Sequence, residues 1–212
     1  MADPSKTPST NPRLLLGLLL WYGLVWIVLA IDPVDRKDWL IENLLAITGV
    51  AVLVLTYRRF PFSNLSYCLL TAFLTLHAIG AHYTYAEVPF GFWLKDVLAL
   101  SRNPFDRIVH FAFGFLLVLP VREILVRKAG VSGWWSYYLP ASAILAQSGL
   151  FELIEAAVAM IVSPELGTMY LGTQGDEWDA QKDMLAAFGG GLLVLSFVYL
   201  LSRRAHATPA IG

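Results

Sequence analysis

LGTQGDEWDAQKD, residues 171–183, is the most informative stretch of the chain, with four acidic side chains, two amides and a lysine. It separates the segments 139–162 and 184–201, which are both apolar and long enough to cross a bilayer. A polar stretch between two such segments belongs at a membrane surface. The sequence therefore predicts a membrane protein that crosses the bilayer repeatedly.

The composition favours the same class of protein. Of 212 residues, 57% are hydrophobic and only 15% are charged, whereas soluble domains carry about 25% charged residues. The net charge of −1 offers no basic surface, so no nucleic-acid partner is expected. Cys68 is the single cysteine, which excludes a disulfide within the chain. The lipid bilayer is the expected surrounding, and the oligomeric state is left open.

Six apolar segments of bilayer-spanning length predict an all-α polytopic membrane protein, because backbone groups in lipid must be paired within each span. A short interfacial helix is expected between spans three and four, at 91–100, which is apolar but too short to cross. The predicted spans are 14–31, 39–57, 65–83, 108–125, 139–162 and 184–201.

The remaining segments predict one domain with two tails. Residues 1–12 are rich in Pro, Ser and Thr and are expected to be disordered. Residues 13–204 form a single six-helix domain, and 205–212 a flexible tail. With the N-terminus inside, nine Lys and Arg residues flank the spans on the inner side and six on the outer side. This bias predicts that both termini are cytoplasmic.

Ionisable side chains within the spans are costly, so each is a candidate functional residue. Because alternate spans run in opposite directions, these residues fall near the outer ends of spans three to six. They are expected to converge at one depth, near the outer leaflet. The residues concerned are His77, His82, Asp106, Arg107, His110, Glu152, Glu155, Asp179 and Asp183.

Structural roles compete with functional ones at several of these positions. Asp106 could cap a helix, Arg107 could reach the headgroups, and a histidine such as His77 could be a packing residue. Glu152 and Glu155 are harder to explain, because two carboxylates one turn apart at membrane depth need a counter-charge, a proton or a metal. In the polar stretch, Asp179 and Asp183 are expected to point inward and Glu177 to water.

Carboxylates and imidazoles at one depth suit a divalent cation, zinc or similar, with an open position for water. A metal-free alternative is general acid–base catalysis by a carboxyl group and a histidine. The candidate catalytic residues are Glu152, Glu155, His110, Asp106 and Arg107. The candidate metal ligands are His77, His82, His110, Glu152, Glu155, Asp179 and Asp183.

Four segments resemble the YjdF-like bacterial inner-membrane proteins, a family of unknown function. They are HAIGAHYTY at 77–85, NPFDRIVH at 103–110, Glu152-x-x-Glu155, and GTQGDEWDAQKDM at 172–184. The likeness covers nearly the whole chain, and the last segment is quite specific. It implies a location in the bacterial inner membrane and a shared site, but it names no substrate.

The same order of motifs also resembles, more distantly, the VanZ-like superfamily, whose pattern is D-K-x-x-H, then E-x-x-Q, then D-x-x-x-N-x-x-G. The departures are Arg107 for Lys, Glu155 for Gln and Ala187 for Asn. VanZ-like proteins are associated with resistance to the glycopeptide teicoplanin. The matching residues are Asp106, His110, Glu152, Asp183 and Gly190.

Three functions follow from these patterns, and the sequence leaves open whether the protein is an enzyme. The first is a metal-assisted hydrolase or transferase that acts at the periplasmic leaflet on a lipid-linked or envelope substrate. The second is a proton- or ion-coupled transporter of small molecules, which requires ionisable groups towards the cytoplasmic side as well. The third is a non-catalytic membrane factor that binds lipid or glycopeptide.

Overall fold

The computed structural model describes residues 10–207, and this part is helical with no strand. The all-α prediction is thus confirmed, while most of each predicted tail, 1–9 and 208–212, lies outside the described residues. The helices are α1 (Pro12–Leu29), α2 (Arg36–Thr56), α3 (Asn64–His82), α4 (Pro89–Val97), α5 (Phe105–Ala129), α6 (Trp135–Ile161), α7 (Pro164–Leu171) and α8 (Asp179–Ala207).

Six of these helices, α1, α2, α3, α5, α6 and α8, are long and apolar enough to cross a membrane, which confirms the six predicted spans. Helices α5 and α8 begin three and five residues before the predicted starts at 108 and 184. Their first turns are polar, so they lie outside the apolar segments by which the spans were predicted. The early starts bring Asp106, Asp179 and Asp183 within helices.

Two short helices connect the long ones. Helix α4 confirms the short helix predicted between spans three and four, and its apolar Phe90 and Trp93 are exposed. Helix α7 was not predicted. Its signals were in the sequence, since Ser163 caps its first turn and Gly172 ends it in the left-handed conformation with φ 58°.

The α5–α8 crossing lies at the centre of the bundle. Gly114 and Gly190 allow it, because a Cβ on Gly114 would overlap the carbonyl oxygen of Ala187, and one on Gly190 would overlap that of Phe111. Below this crossing the core is apolar, with Val118, Ala141, Ile144, Ala187 and Leu195 buried together. Close backbone approach at small residues is typical of helices packed in membranes.

Polar clusters occupy both ends of the bundle. The site end, as we call it, comprises the N-termini of α2, α5 and α8 and the C-termini of α3 and α6. At the opposite end, Glu123 accepts hydrogen bonds from Ser63 and Ser66 and pairs with Arg127. The opposite end is therefore held by an internally paired network, whereas the site end carries an excess of carboxyl groups.

Candidate functional site

Asp106, His110 and Asp183, which we call the triad, form the only set of three or more metal-ligating side chains brought together in residues 10–207. One potential ligand atom from each lies within 4.8 Å of the others. Asp106 and His110 are one turn apart on α5, and Asp183 faces them from α8. Because the α5–α8 crossing is close, residues far apart in sequence meet here.

Glu152 on α6 adds a fourth group to the triad. The His110 Nε2 atom lies 3.6 Å from Glu152 Oε1 and 3.7 Å from Asp106 Oδ1, too far for a hydrogen bond. Ligands bound to tetrahedral zinc at about 2.0–2.1 Å stand roughly 3.3–3.5 Å apart. The 3.7 Å between His110 Nε2 and Asp106 Oδ1 is close to the separation of two atoms that bind one cation, and Glu152 Oε1 lies beside them. Glu152 Oε1 is also buried and has no hydrogen-bond partner.

Two arginines hold the acidic side chains around the triad. Arg102 is buried, pairs with Asp179, and lies 3.6 Å from Asp106 Oδ2 through its Nη2. Arg107 pairs with Asp179 at 2.8 Å through Nη2, and with Asp183 at 3.3 Å through Nε. Asp179 is thus engaged by two guanidinium groups, and only one Asp183 oxygen is engaged by Arg107.

The polar stretch at residues 171–183 closes over these residues. Gln174 accepts a hydrogen bond from the backbone N–H of Asn103 at 2.9 Å and donates to the Asn103 carbonyl at 3.1 Å. Arg102 donates to the carbonyls of Gly172 and Thr173. As expected, Asp179 and Asp183 are buried; Glu177 is exposed. The stretch therefore forms a cover over the site end rather than a free loop.

Asp176 lies in the turn before α8 and joins the same cluster. Lys182 donates to both of its oxygens, at 2.8 and 2.7 Å, and Arg107 donates to Oδ2 at 3.2 Å. The Lys182 hydrogen bond, followed by one from the Trp178 backbone N–H, lowers the pKa of Asp176 to about 2. Asp176 is therefore ionised at neutral pH and anchors both Lys182 and Arg107.

His77 and His82 lie apart from the triad. The His82 Nδ1 atom is 2.8 Å from the Leu29 carbonyl, which ties α3 to the end of α1. The His77 Nε2 atom is 3.2 Å from the Glu42 carbonyl, and its Nδ1 is 2.6 Å from the Tyr85 hydroxyl. A carbonyl only accepts, so Nε2 carries the proton and Nδ1 accepts from Tyr85.

Tyr85 is held in an uncommon backbone conformation. Thr84 and Tyr85 have φ values of 50° and 52°, a region that non-glycine residues rarely occupy. The Tyr85 ring packs on Gly80, where a Cβ would overlap the ring. Burial, followed by the nearby carboxylates, raises the pKa of Tyr85. Tyr85 is therefore a neutral hydroxyl whose proton is directed at His77.

A narrow acidic cavity lies beside the triad, with room for a single water-sized species. Its wall is made by the carboxyl groups of α2, α5 and α6, the Thr84–Tyr85 turn and the end of α7. We call it the acidic cavity; Asp106 borders both it and the triad. Its lining residues are Asp38, Glu42, Thr84, Tyr85, Asp106, Glu155, Met169, Tyr170, Leu171 and Gly172.

Comparison with known proteins identifies the family. Residues 14–204 match the family described as "Predicted membrane protein (DUF2238)". The chain belongs to that family. It is also 39% identical over 195 residues to the inner membrane protein YjdF of Escherichia coli (strain K12), an alignment that covers 91% of this chain and 92% of that protein. No solved structure matches.

These matches confirm the predicted resemblance to the YjdF-like family, and with the six apolar helices they identify a multi-pass protein of the inner membrane. The more distant resemblance to the VanZ-like superfamily stays a prediction, as do the orientation of the termini and the roles of the site residues.

Several members of the site were not predicted from the sequence. Arg102 is one of the six outer basic residues and is not among the predicted site residues, although it stands four residues before Asp106, the spacing of a helical ion pair. Asp38 and Glu42 are likewise four apart, and that spacing marks a shared face of α2. Tyr85 carried no such signal, because its contact with His77 depends on the turn after α3.

Proposed function

We propose that this protein is a metal-assisted hydrolase or transferase whose triad binds one zinc-like divalent cation. The observation that carries the proposal is the convergence of Asp106, His110 and Asp183 at the site end, with Glu152 beside them. Nitrogen and oxygen ligands of this kind suit zinc, and a site with three protein ligands leaves a position for water. When bound, the cation would lower the pKa of that water to about 7.

Each neighbouring residue has a role in this proposal. Glu152, with its unpartnered Oε1, accepts the proton of the attacking water as the general base. Arg102 and Arg107 orient the aspartates and offset their charge. Arg107 keeps 32% of its side chain exposed and offers a guanidinium N–H to an anionic group of the substrate. Glu155 faces the acidic cavity instead.

The substrate class follows from the depth of the site. The triad lies near the ends of membrane-spanning helices. The short helix α4, with its exposed aromatic side chains, packs through Gly91 against Asn103, three residues before Asp106. A reacting group at that depth belongs at a lipid headgroup, so a lipid-linked or envelope substrate fits. With both termini in the cytoplasm, as the Lys and Arg distribution predicts, the site faces the periplasmic leaflet.

A transporter has weaker support than an enzyme. A coupled carrier needs ionisable groups along a path through the bundle. Between the site end and the Glu123 network, the described residues form an apolar core cluster that includes Val118 and Ile144. In a non-catalytic factor that binds lipid or glycopeptide, the triad would catalyse no reaction. Turnover of a substrate would therefore distinguish the enzyme from such a factor.

Metal analysis of detergent-purified protein tests the proposal. After dialysis against limiting Zn²⁺, we expect one bound ion per chain in the wild type and loss of that ion in Asp183→Asn and His110→Ala. Glu152→Gln should retain zinc but lose turnover, which lipid mass spectrometry of inner membranes from expressing cells would detect as accumulated substrate.

Glu177→Gln is the matched control, since Glu177 is an exposed carboxylate at the same end of the molecule. It should bind zinc like the wild type. Equal zinc contents in the wild type, Asp183→Asn and His110→Ala would refute the metal site. Zinc binding with an unchanged lipid profile in Glu152→Gln would instead favour the non-catalytic factor.

A further inference from the structure

Gln147 lies on the outer surface of α6, in the middle of that span. It stands about 18 Å from the first residue of the helix, Trp135, and about 21 Å from the last, Ile161. That position is close to the centre of a hydrocarbon core about 30 Å thick. Among residues 10–207, Gln147 is the only exposed amide, acidic or basic side chain in the middle third of any span.

The Gln147 amide has no hydrogen-bond partner among the residues that the structure describes. Water would satisfy an exposed amide on a soluble protein, but the bilayer core offers no water, and an unpaired polar group there is costly. Thr48, which is also exposed in the middle of a span, donates to the Leu44 carbonyl of its own helix. Gln147 therefore requires a partner from outside the chain.

Gln147 belongs to an uncovered stripe of α6, which we call the Gln147 face. Ser148 is buried and Glu152 approaches His110, so these side chains point into the bundle and away from this face. Spacings of four and three residues alternate along the stripe, the pattern by which two helices pack against each other lengthwise. Its alanines allow a second backbone to come close. The face comprises Ala143, Gln147, Leu150, Ile154, Ala157 and Ile161.

The chemistry of the Gln147 face favours a second copy of this chain as its occupant. Lipid acyl chains would cover the aliphatic side chains but offer the amide no hydrogen bond. A glutamine amide carries both a donor and an acceptor, so two such amides can satisfy each other. Two copies inserted in the same orientation are related by a twofold axis along the membrane normal, and such a contact is self-complementary. Gln147 of each copy then meets its counterpart at the same depth.

We propose that the protein forms a parallel homodimer through the Gln147 face, with the two Gln147 amides paired at its centre. The dimer does not depend on the proposed enzymatic function, because Asp106, His110 and Asp183 come from α5 and α8 and meet within one chain. Each copy keeps its own complete site.

Energy transfer between fluorophores in liposomes tests the dimer. Full-length protein in a Cys68→Ala background is labelled at Glu177→Cys, which is exposed, and reconstituted into phosphatidylethanolamine–phosphatidylglycerol vesicles at decreasing protein-to-lipid ratios. We expect dimers with Gln147 present. Gln147→Leu removes the interhelical hydrogen bonds and should weaken dimerisation by about 5–30-fold. Leucine suits both the helix and the lipid, so this variant should fold. Gln147→Asn keeps an amide and should dimerise more tightly than Gln147→Leu.

Disulfide cross-linking identifies the face that is used. In the Cys68→Ala background, Leu150→Cys lies on the Gln147 face, and Leu145→Cys is the matched control on another exposed side of α6. Mild oxidation should cross-link Leu150→Cys into dimers and leave Leu145→Cys mostly monomeric.

Three results would each refute the dimer: a monomer at every protein-to-lipid ratio, dimerisation of Gln147→Leu equal to that of the parent protein, or preferential cross-linking at Leu145→Cys. The zinc content of Gln147→Leu should match that of the wild type. Absence of zinc from both proteins would refute the proposed function and leave the dimer standing.

Discussion

At the scale of single residues, Asp176 gives the clearest dependence on pH. Its folded pKa, about 2, lies below the ordinary value of 3.8, chiefly because Lys182 donates to it. A depressed carboxyl pKa stabilises the folded protein above the unfolded pKa, and this contribution disappears as the pH falls towards the folded pKa. The stabilisation from Asp176 should therefore be complete above about pH 4–5 and lost near pH 2.

The measurement is the melting temperature of the wild type and Asp176→Asn in detergent across this pH range. We expect the wild type to melt higher at neutral pH and the difference to shrink as the pH falls from 4 towards 2. Lys182→Met removes the main cause of the lowered pKa of Asp176. In a Lys182→Met background, Asp176→Asn should therefore change the melting temperature less than it does in the wild type. A difference that persists unchanged to pH 2 would contradict this account.

Tyr85 provides a second prediction at this scale. Tyr85→Phe removes the donor to His77 Nδ1 and leaves a buried acceptor unpaired. We expect a loss of about 1–3 kcal/mol in the free energy of unfolding, measured by denaturant or thermal unfolding in detergent. Tyr83→Phe, two residues earlier, keeps the His77 hydrogen bond and serves as the control. Equal stabilities of the two variants would argue against the Tyr85–His77 hydrogen bond.

At the scale of helices, the α5–α8 crossing depends on particular glycines. Gly114→Ala would force a Cβ into the carbonyl of Ala187, and overpacking of this kind costs about 1–3 kcal/mol. The shift should also move Asp106 and His110 relative to Asp183 and weaken zinc binding. Thermal unfolding and metal content measure the two effects.

Gly189→Ala is the matched control for this crossing. A Cβ at Gly189 has no neighbour within 4 Å, and alanine favours a helix by up to about 1 kcal/mol over glycine. We expect Gly189→Ala to be neutral or stabilising and to leave zinc binding intact. Destabilisation by Gly189→Ala and tolerance of Gly114→Ala would overturn the packing described here.

At the scale of the whole molecule, the six spans require both termini on one side of the membrane, and the charge bias predicts the cytoplasmic side. In a Cys68→Ala background, Glu177→Cys should react with an impermeant maleimide in cells whose outer membrane is permeabilised. Arg58→Cys, exposed at the opposite end, should react only after lysis. The reverse pattern would place the triad at the cytoplasmic leaflet and remove the periplasmic substrate from consideration.

The candidate site could be predicted in outline, since the ionisable residues of α5, α6 and α8 meet at one end as the alternating topology predicted. Which of them meet could not be predicted. His77 and His82 belong to the same depth, yet both ring nitrogens of His77 and the Nδ1 of His82 are engaged by backbone carbonyls and Tyr85. Arg102 and Asp38 each stand four residues before another charged residue, which is an ordinary spacing in a sequence. Only the packing shows that Arg102 is buried and paired with Asp179, and that Asp38 is a buried acid with one unpartnered oxygen.

The sequence by itself determined the membrane class, the six spans and the end of the bundle at which the acidic residues lie. These properties follow from hydropathy and chain direction, which are local and additive along the chain. Tertiary structure alone decided that Asp106, His110 and Asp183 form one group and that Asp106 also borders the acidic cavity. The triad depends on the rotation and close approach of helices α5 and α8, which Gly114 and Gly190 permit. The cavity depends on how α2, α6 and α7 are placed around Asp106. No local pattern encodes either arrangement.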